Sequence, residues 1–322
     1  MRPVNGQIHA TDAAELNSFR KEGQRFMPLQ EWTLSYFEKG IIPSDDGQTF
    51  GCSAGGITGS WSIRPFGEVL AGTYENVLLE LADKTATGFH ADAAIVFFAK
   101  APGMEEFLRQ ASRLLPGVPF GGGGAAFQPG AGAGELLPSA KDAVLLLIQD
   151  VRYHFTNVWA NVHDDTGRKV QFRAGGERVI LSLRENDGDV PALGWYSSRR
   201  EESGFSQENF ENLALSSPEG WNLHVSPEGE FALHTGANLP GGGELFVRQI
   251  DSDTASLRIS AFCGNENTLI FGCAGLQSML AESVQCGVGT FAGFLHGEVL
   301  TVEGNPRFTN LMMSGLRAEK IG

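Results

Sequence analysis

Apolar and polar positions along this chain fall into one order of features that occurs twice. The first occurrence opens with the apolar run Ile95-Val96-Phe97-Phe98. A helix-patterned stretch follows, then Gly117-Val118, a glycine-rich segment, Gly134-Glu135-Leu136-Leu137 and the apolar run Ala143 to Ile148. The second opens with Leu269-Ile270-Phe271. It continues through a helix-patterned stretch, Gly287-Val288, a glycine-rich segment, Gly297-Glu298-Val299-Leu300 and Leu311-Met312-Met313. Two copies are too few for a solenoid. The repetition therefore predicts a mixed α/β fold: duplicated βαβ-plus-hairpin units, mixed sheets covered by helices, and a pseudo-two-fold relation with right-handed crossovers. A ligand site is expected at the junction of the copies.

Within the first copy, Met104, Phe107, Leu108, Ala111, Leu114 and Leu115 recur at helical spacing. Glu105, Glu106, Arg109 and Arg113 take the opposite face, and Pro116 ends the helix. The second copy repeats the pattern more weakly through Leu276, Met279, Leu280 and Val284. Residues 12 to 39 read as helical, with a capping-box pattern at Asp12 and Glu15. Pro28 opens a second helix there that Gly40 closes. From Ile57 to Leu81 the pattern is one of short extended runs. Residues 151 to 193 read as β-structure with a turn at Asn186-Asp187-Gly188, and Ser206 to Ala214 as a short helix. Strands are expected at Phe231 to Leu233 and Glu244 to Val247.

The 322 residues carry 42 glycines, well above the usual share, gathered in clusters such as Gly121 to Gly124. Clustering without a period points to tight turns and close backbone approach. A net charge of −14, with no basic run longer than Arg199-Arg200, argues against nucleic acid and against an anionic membrane surface. No apolar run reaches the roughly 20 residues that span a bilayer. Met1 to Asn17 shows neither the basic start nor the apolar core of a signal peptide. Four well-spaced cysteines, with no CxxC pair, suit reduced cytoplasmic thiols.

Gly51-Cys52-Ser53-Ala54-Gly55 fits the GxSxG pattern of a nucleophile elbow, but neither flank offers the strand and helix that such an elbow needs. Gly121 to Gly124 lacks the Lys-Ser or Lys-Thr of a phosphate loop and reads as a turn with a bulge. The seven histidines match no zinc spacing, so neither metal nor cofactor is expected. Cys273 stands between a strand and a helix-patterned stretch. It is either a thiolate activated by the helix N-terminus or a small buried hydrophobe.

Several short segments, in order, resemble the FIST domain family. Val179 to Tyr196 is similar to its strand, turn and "pA…y" pattern, and Phe231 to Val247 to the strand-turn-glycine segment that follows. Leu269 to Gly275 resembles its cysteine motif, Gly293 to Leu300 its "GF…GE" motif, and Arg307 to Asn310 its closing segment. Leu276, Thr309 and Leu311 depart from the family pattern. The resemblance implies a FIST N-like region over 92–190 and a FIST C-like region over 191–322, preceded by a helical and β extension over 1–91. It also implies an intracellular, non-enzymatic sensory module for a small ligand such as an amino acid. Output would pass through a separate signalling protein or a homo-oligomer. The expected ligand contacts are Cys273, Ala274, Gly275, Gly297, Glu298 and Asn310. Glu298 would meet an ammonium and the amides after Cys273 a carboxylate; the opposing expectation leaves Glu298 in solvent at a hairpin end. Two further readings stand beside this one. One is a hydrolase or transferase with Cys273 or Ser53 as nucleophile, which would need a base such as His296. The other is an interaction scaffold without a small ligand.

Overall fold

The computed structural model describes residues 27–28, 33–35, 58–60, 66–99, 103–125, 142–185, 188–202, 213–236, 238–265, 267–273, 276, 290–295 and 297–322. The first repeated unit runs β1 (Phe66–Thr73), α1 (Tyr74–Ala86), β2 (Ala93–Ala99), α2 (Met104–Leu114), β3 (Phe120–Ala125) and β4 (Asp142–Gln149). Its sheet has the order β1-β4-β2-β3, with the short strand Met27–Pro28 outside β1. Strands β2 and β3 are parallel, while β4 is antiparallel to both β1 and β2.

After β5 (Tyr153–Asn161) the chain leaves to build a separate antiparallel sheet. This comprises β6 (Asp164–Gly176), β7 (Val179–Arg184), α3 (Ala192–Glu202), β8 (Leu213–Ser216), β9 (Val225–Glu228), β10 (Ala232–Thr235) and β11 (Gly242–Gln249). Its order is β8-β11-β6-β7-β10-β9, with Val190–Pro191 pairing β7. The chain then returns through α4 (Ser252–Cys263), β12 (Thr268–Cys273), β13 (Thr290–Leu295), the hairpin β14 (Val299–Val302) and β15 (Asn305–Phe308), and β16 (Met312–Lys320). The second repeated sheet is ordered β5-β16-β12-β13. Again the pair β12 and β13 is parallel, and the closing strand β16 is antiparallel to both neighbours. The two sheets therefore match strand for strand in order and sense. The repeat is wider than the motifs alone indicate, since each copy also includes a further strand (β1, β5) and a helix (α1, α4).

Alternation along the strands distributes the burial. In β2, Ala94, Val96 and Phe98 face α1 and α2, whose apolar stripes supply Val77, Leu81, Phe107 and Leu108. Phe97 points the other way, with its ring 6.2 Å from that of Phe271 on β12. Helix α4 covers the second sheet with Ala255, Ile259 and Phe262 against Ile270 and Met313. The layering is helix, sheet, sheet, helix, with the third sheet and its helix α3 packed on Leu300 and Met312.

Several sequence expectations are corrected. The helix expected from Pro28 is absent at Thr33–Ser35, which pairs antiparallel with Thr58–Ser60; pairing overrides a weak helical spacing there. The extended reading to Leu81 fails at α1. There Thr73 caps the helix by accepting from the Asn76 amide at 3.3 Å, and Tyr74, Val77 and Leu81 form a buried stripe. Gly121 to Gly124 is not a turn but the body of β3. Gly121 leaves room for Leu316, whose Cγ would sit 2.9 Å from an added Cβ. Gly122 holds φ +97°, where an added Cβ would meet the Val96 carbonyl oxygen at 2.1 Å. Leu213 and Ala214 begin a strand rather than end a helix. The second-copy helix beyond Leu276, the GxSxG segment with Ser53, and the Gly134-Glu135 pair lie outside the described residues. The sheets also cross the expected boundaries: β1 joins strands after 91, and β5 joins strands after 191. Among the described residues no helix is long and apolar enough to cross a membrane.

Candidate functional site

Cys273 ends β12, a strand whose six residues are all buried because it lies between β13 and β16 with layers on both faces. Its thiol donates to the side-chain oxygen of Asn310 at 3.1 Å. Asn310 sits in the three-residue link between β15 and β16. In that link Leu311 adopts φ +56°, a left-handed conformation that a branched apolar residue rarely takes. The link is held from below. Buried Asn222 donates its amide to the Leu311 carbonyl at 3.2 Å, and the Thr309 hydroxyl donates to the Asn222 carbonyl at 2.5 Å. Asn161 at the end of β5 donates in turn to the Asn222 side-chain oxygen at 2.7 Å. Such fully engaged buried polar groups fix a unique geometry, because freeing any one of them leaves a desolvated partner.

Glu298 reaches the same link from the other side. Its main chain exchanges hydrogen bonds with Thr309 at 3.2 and 2.8 Å, which extends the β14–β15 hairpin by one residue pair. Its carboxylate accepts from the Met312 amide at 3.4 Å, and the residue is fully buried. The expectation of a solvent-exposed hairpin end is therefore wrong. Burial follows from the bridge between Glu298 and Gly123 of β3, which brings the first repeat over it. Gly297, at φ +99°, makes that approach possible: its carbonyl accepts from the Gly124 amide at 2.9 Å, and an added Cβ would lie 2.4 Å from the Phe308 ring.

Cys273, Gly297 and Glu298 thus converge on the 309–311 link that carries Asn310, while Ala274 and Gly275 lie outside the described residues, as does His296. The supporting residues Asn161, Asn222 and Thr309 carry no motif. In the sequence Thr309 stands out only as a departure from the pattern of the family that the chain resembles. A second thiol, Cys263 of α4, belongs to the same apolar cluster as Cys273, and burial pushes it up to about 11. An amide oxygen can accept a hydrogen bond from Cys273 but cannot take its proton. The Cys273–Asn310 pair is therefore not the activating pair of a cysteine nucleophile. It leaves the Asn310 amide nitrogen as a donor. Among the described residues no three His, Cys, Asp or Glu side chains gather as a metal site requires. Neither a protein-family model nor any curated protein matches this chain.

Proposed function

We propose that this protein is a cytoplasmic, non-enzymatic sensory module of FIST type that binds a small zwitterion, such as an amino acid, where its two repeated sheets meet. The observation that carries the reading is the convergence of Cys273, Asn310 and Glu298 on one three-residue link, at the carboxyl end of β12. Strand ends of this kind are where α/β sheets present ligand contacts. In this reading Glu298 supplies the counter-charge for a ligand ammonium. Asn310 offers its amide, and the amides after Cys273, at Ala274 and Gly275, receive the carboxylate. The signal leaves through a separate protein or a second copy of the chain.

A thermal-shift screen of the full chain against the twenty amino acids tests this directly. Ligand at 100 times its dissociation constant stabilises by about 2.7 kcal/mol, a readily measured rise in melting temperature. Glu298→Gln keeps an oxygen acceptor for the Met312 amide while removing the charge. The ligand shift should disappear in this variant and the unliganded melting temperature should hold. A panel without a hit, or a shift that survives in Glu298→Gln, removes the site.

A further inference from the structure

A cleft of about 460 Å³ lies away from Cys273, between helix α2 and the tip of the β14–β15 hairpin, with a third wall from the β6–β10 sheet. Three separately built parts of the fold enclose it. α2 contributes Ser112 and Arg113, the hairpin Glu303 and Arg307, and the third sheet Arg178. Its volume is within the range of small-molecule sites. The hairpin tip is fixed by local geometry: Glu303 and Gly304 both hold positive φ, +50° and +76°, as a tight two-residue hairpin turn demands.

Charge in this cleft runs against the rest of the molecule. The chain carries −14 overall, yet four arginines line this space against two glutamates, Glu105 and Glu303. Two of them are engaged. Arg109 is paired with Glu106 on its own helix, and Arg178 donates to Glu105 and to Asn238, each at 2.7 Å. Arg113 and Arg307 form no ion pair within 4.0 Å among the described residues, although Arg113 lies near enough to Glu106 to help lower the pKa of that carboxyl, and both residues line the cleft. Planar guanidinium forks match the oxygens of phosphate and carboxylate groups. Two arginines without a close ion pair suit a dianion better than a single carboxylate, and a phosphate monoester carries close to two negative charges at neutral pH. The same walls present Ser112 and the carboxylate of Glu303, which suit hydroxyl groups and would repel a second anionic end.

We infer that this cleft binds a phosphate monoester of a small polyhydroxy compound, with Arg113 and Arg307 holding the phosphate and Glu303 and Ser112 meeting the hydroxyls. It is a second ligand site, independent of Glu298. Calorimetric titration of the full chain with inorganic phosphate and with glycerol 3-phosphate tests it, using glycerol and succinate at matched ionic strength as comparators. Both phosphate probes should bind saturably, the ester more tightly, and glycerol should not bind. Arg113→Gln and Arg307→Gln should each weaken ester binding about tenfold or more, the usual loss for a hydrogen bond to a charged group. Their unliganded melting temperatures should not move, and Glu298→Gln should bind the ester as the parent does. Absence of saturable phosphate binding overturns the inference. So does undiminished binding in the Arg113→Gln, Arg307→Gln double variant, or succinate binding as tightly as the ester.

Discussion

The two repeated sheets share strand order and sense but differ in what fills them. In the first, the closing strand β4 runs from Ala143 to Ile148 without a polar residue, and Leu145, Leu146, Leu147 and Ile148 are all buried. In the second, the matching strand β16 places Ser314 and Gly315 at its middle, and its neighbour β5 carries Asn157 and Asn161. Asn157 donates to the carbonyls of Phe120 and Gly315, at 2.8 and 3.2 Å, and accepts from the Thr301 amide at 2.9 Å. It thereby ties β3, β16 and β14 together. One copy is held by apolar area, which is non-directional and tolerant of detail. The other adds directed hydrogen bonds to its own apolar cluster, and these hold the link that carries Asn310. Duplication lets stability and positional precision be assigned to different copies of one design.

The largest test of this contrast is Leu108→Ala in the first repeat. Leu108 is 2% exposed on the buried face of α2, and the change should cost about 2–5 kcal/mol in urea unfolding. A loss below about half a kcal/mol would deny the first copy its scaffold role. Next comes Gly297→Ala, where an added Cβ at φ +99° would strike the ring of fully packed Phe308. Strain and overpacking together should cost about 1–3 kcal/mol and displace Glu298 from Met312. An unchanged melting temperature would show that the link tolerates movement. Thr309→Val keeps the shape but removes the donor to Asn222, and should cost about 1 kcal/mol by the same unfolding assay. A neutral result would mean that the polar network orders the link without stabilising it.

The smallest effect at neutral pH belongs to Cys263. An ordinary thiol titrates near 9.0, whereas burial raises this one to about 11. Below pH 9 the folded and unfolded chains both hold the proton, so stability does not depend on this group. As pH rises from 9 to 11 the unfolded chain loses its proton first, and folding stability falls. Cys263→Ala should flatten that alkaline decline, which melting curves across the interval would record. A decline of equal slope in both proteins would assign it to other groups.

How much of this was legible in the sequence depends on range. Helix α2 could be read because its apolar stripe is local and regular, and its observed span, Met104–Leu114, matches the expected run closely. Strand β3 could not, because glycine has little strand preference. The reasons lie far off in the chain: Gly121 packs against the side chains of Leu316 and Phe271, and Gly122 against the main chain of Val96. Helix α4 was missed because its Ser- and Thr-rich face weakens the periodicity. A cap signal was nonetheless present: Asp251 accepts from the Thr254 amide at 2.9 Å. At the site, Cys273, Glu298 and Asn310 stood in recognisable short motifs. Asn222 and Asn161 did not, since each acts on a main-chain or side-chain partner many residues away.

The β14–β15 hairpin belongs to the second repeat by its place in the chain, yet its side chains are divided between two other cores. Val299 and Phe308 are buried with helices α1 and α2 of the first repeat, while Leu300 joins the core of the third sheet. Pulling the hairpin out would open both of those cores at once and break the main-chain bond from the Gly124 amide to the Gly297 carbonyl. The three sheets therefore have no separate unfolding equilibria: a scanning calorimeter should record one transition, with calorimetric and van't Hoff enthalpies equal. Fragments cut near residue 190 should stay unfolded alone, because each would lack part of a core that only the intact chain completes.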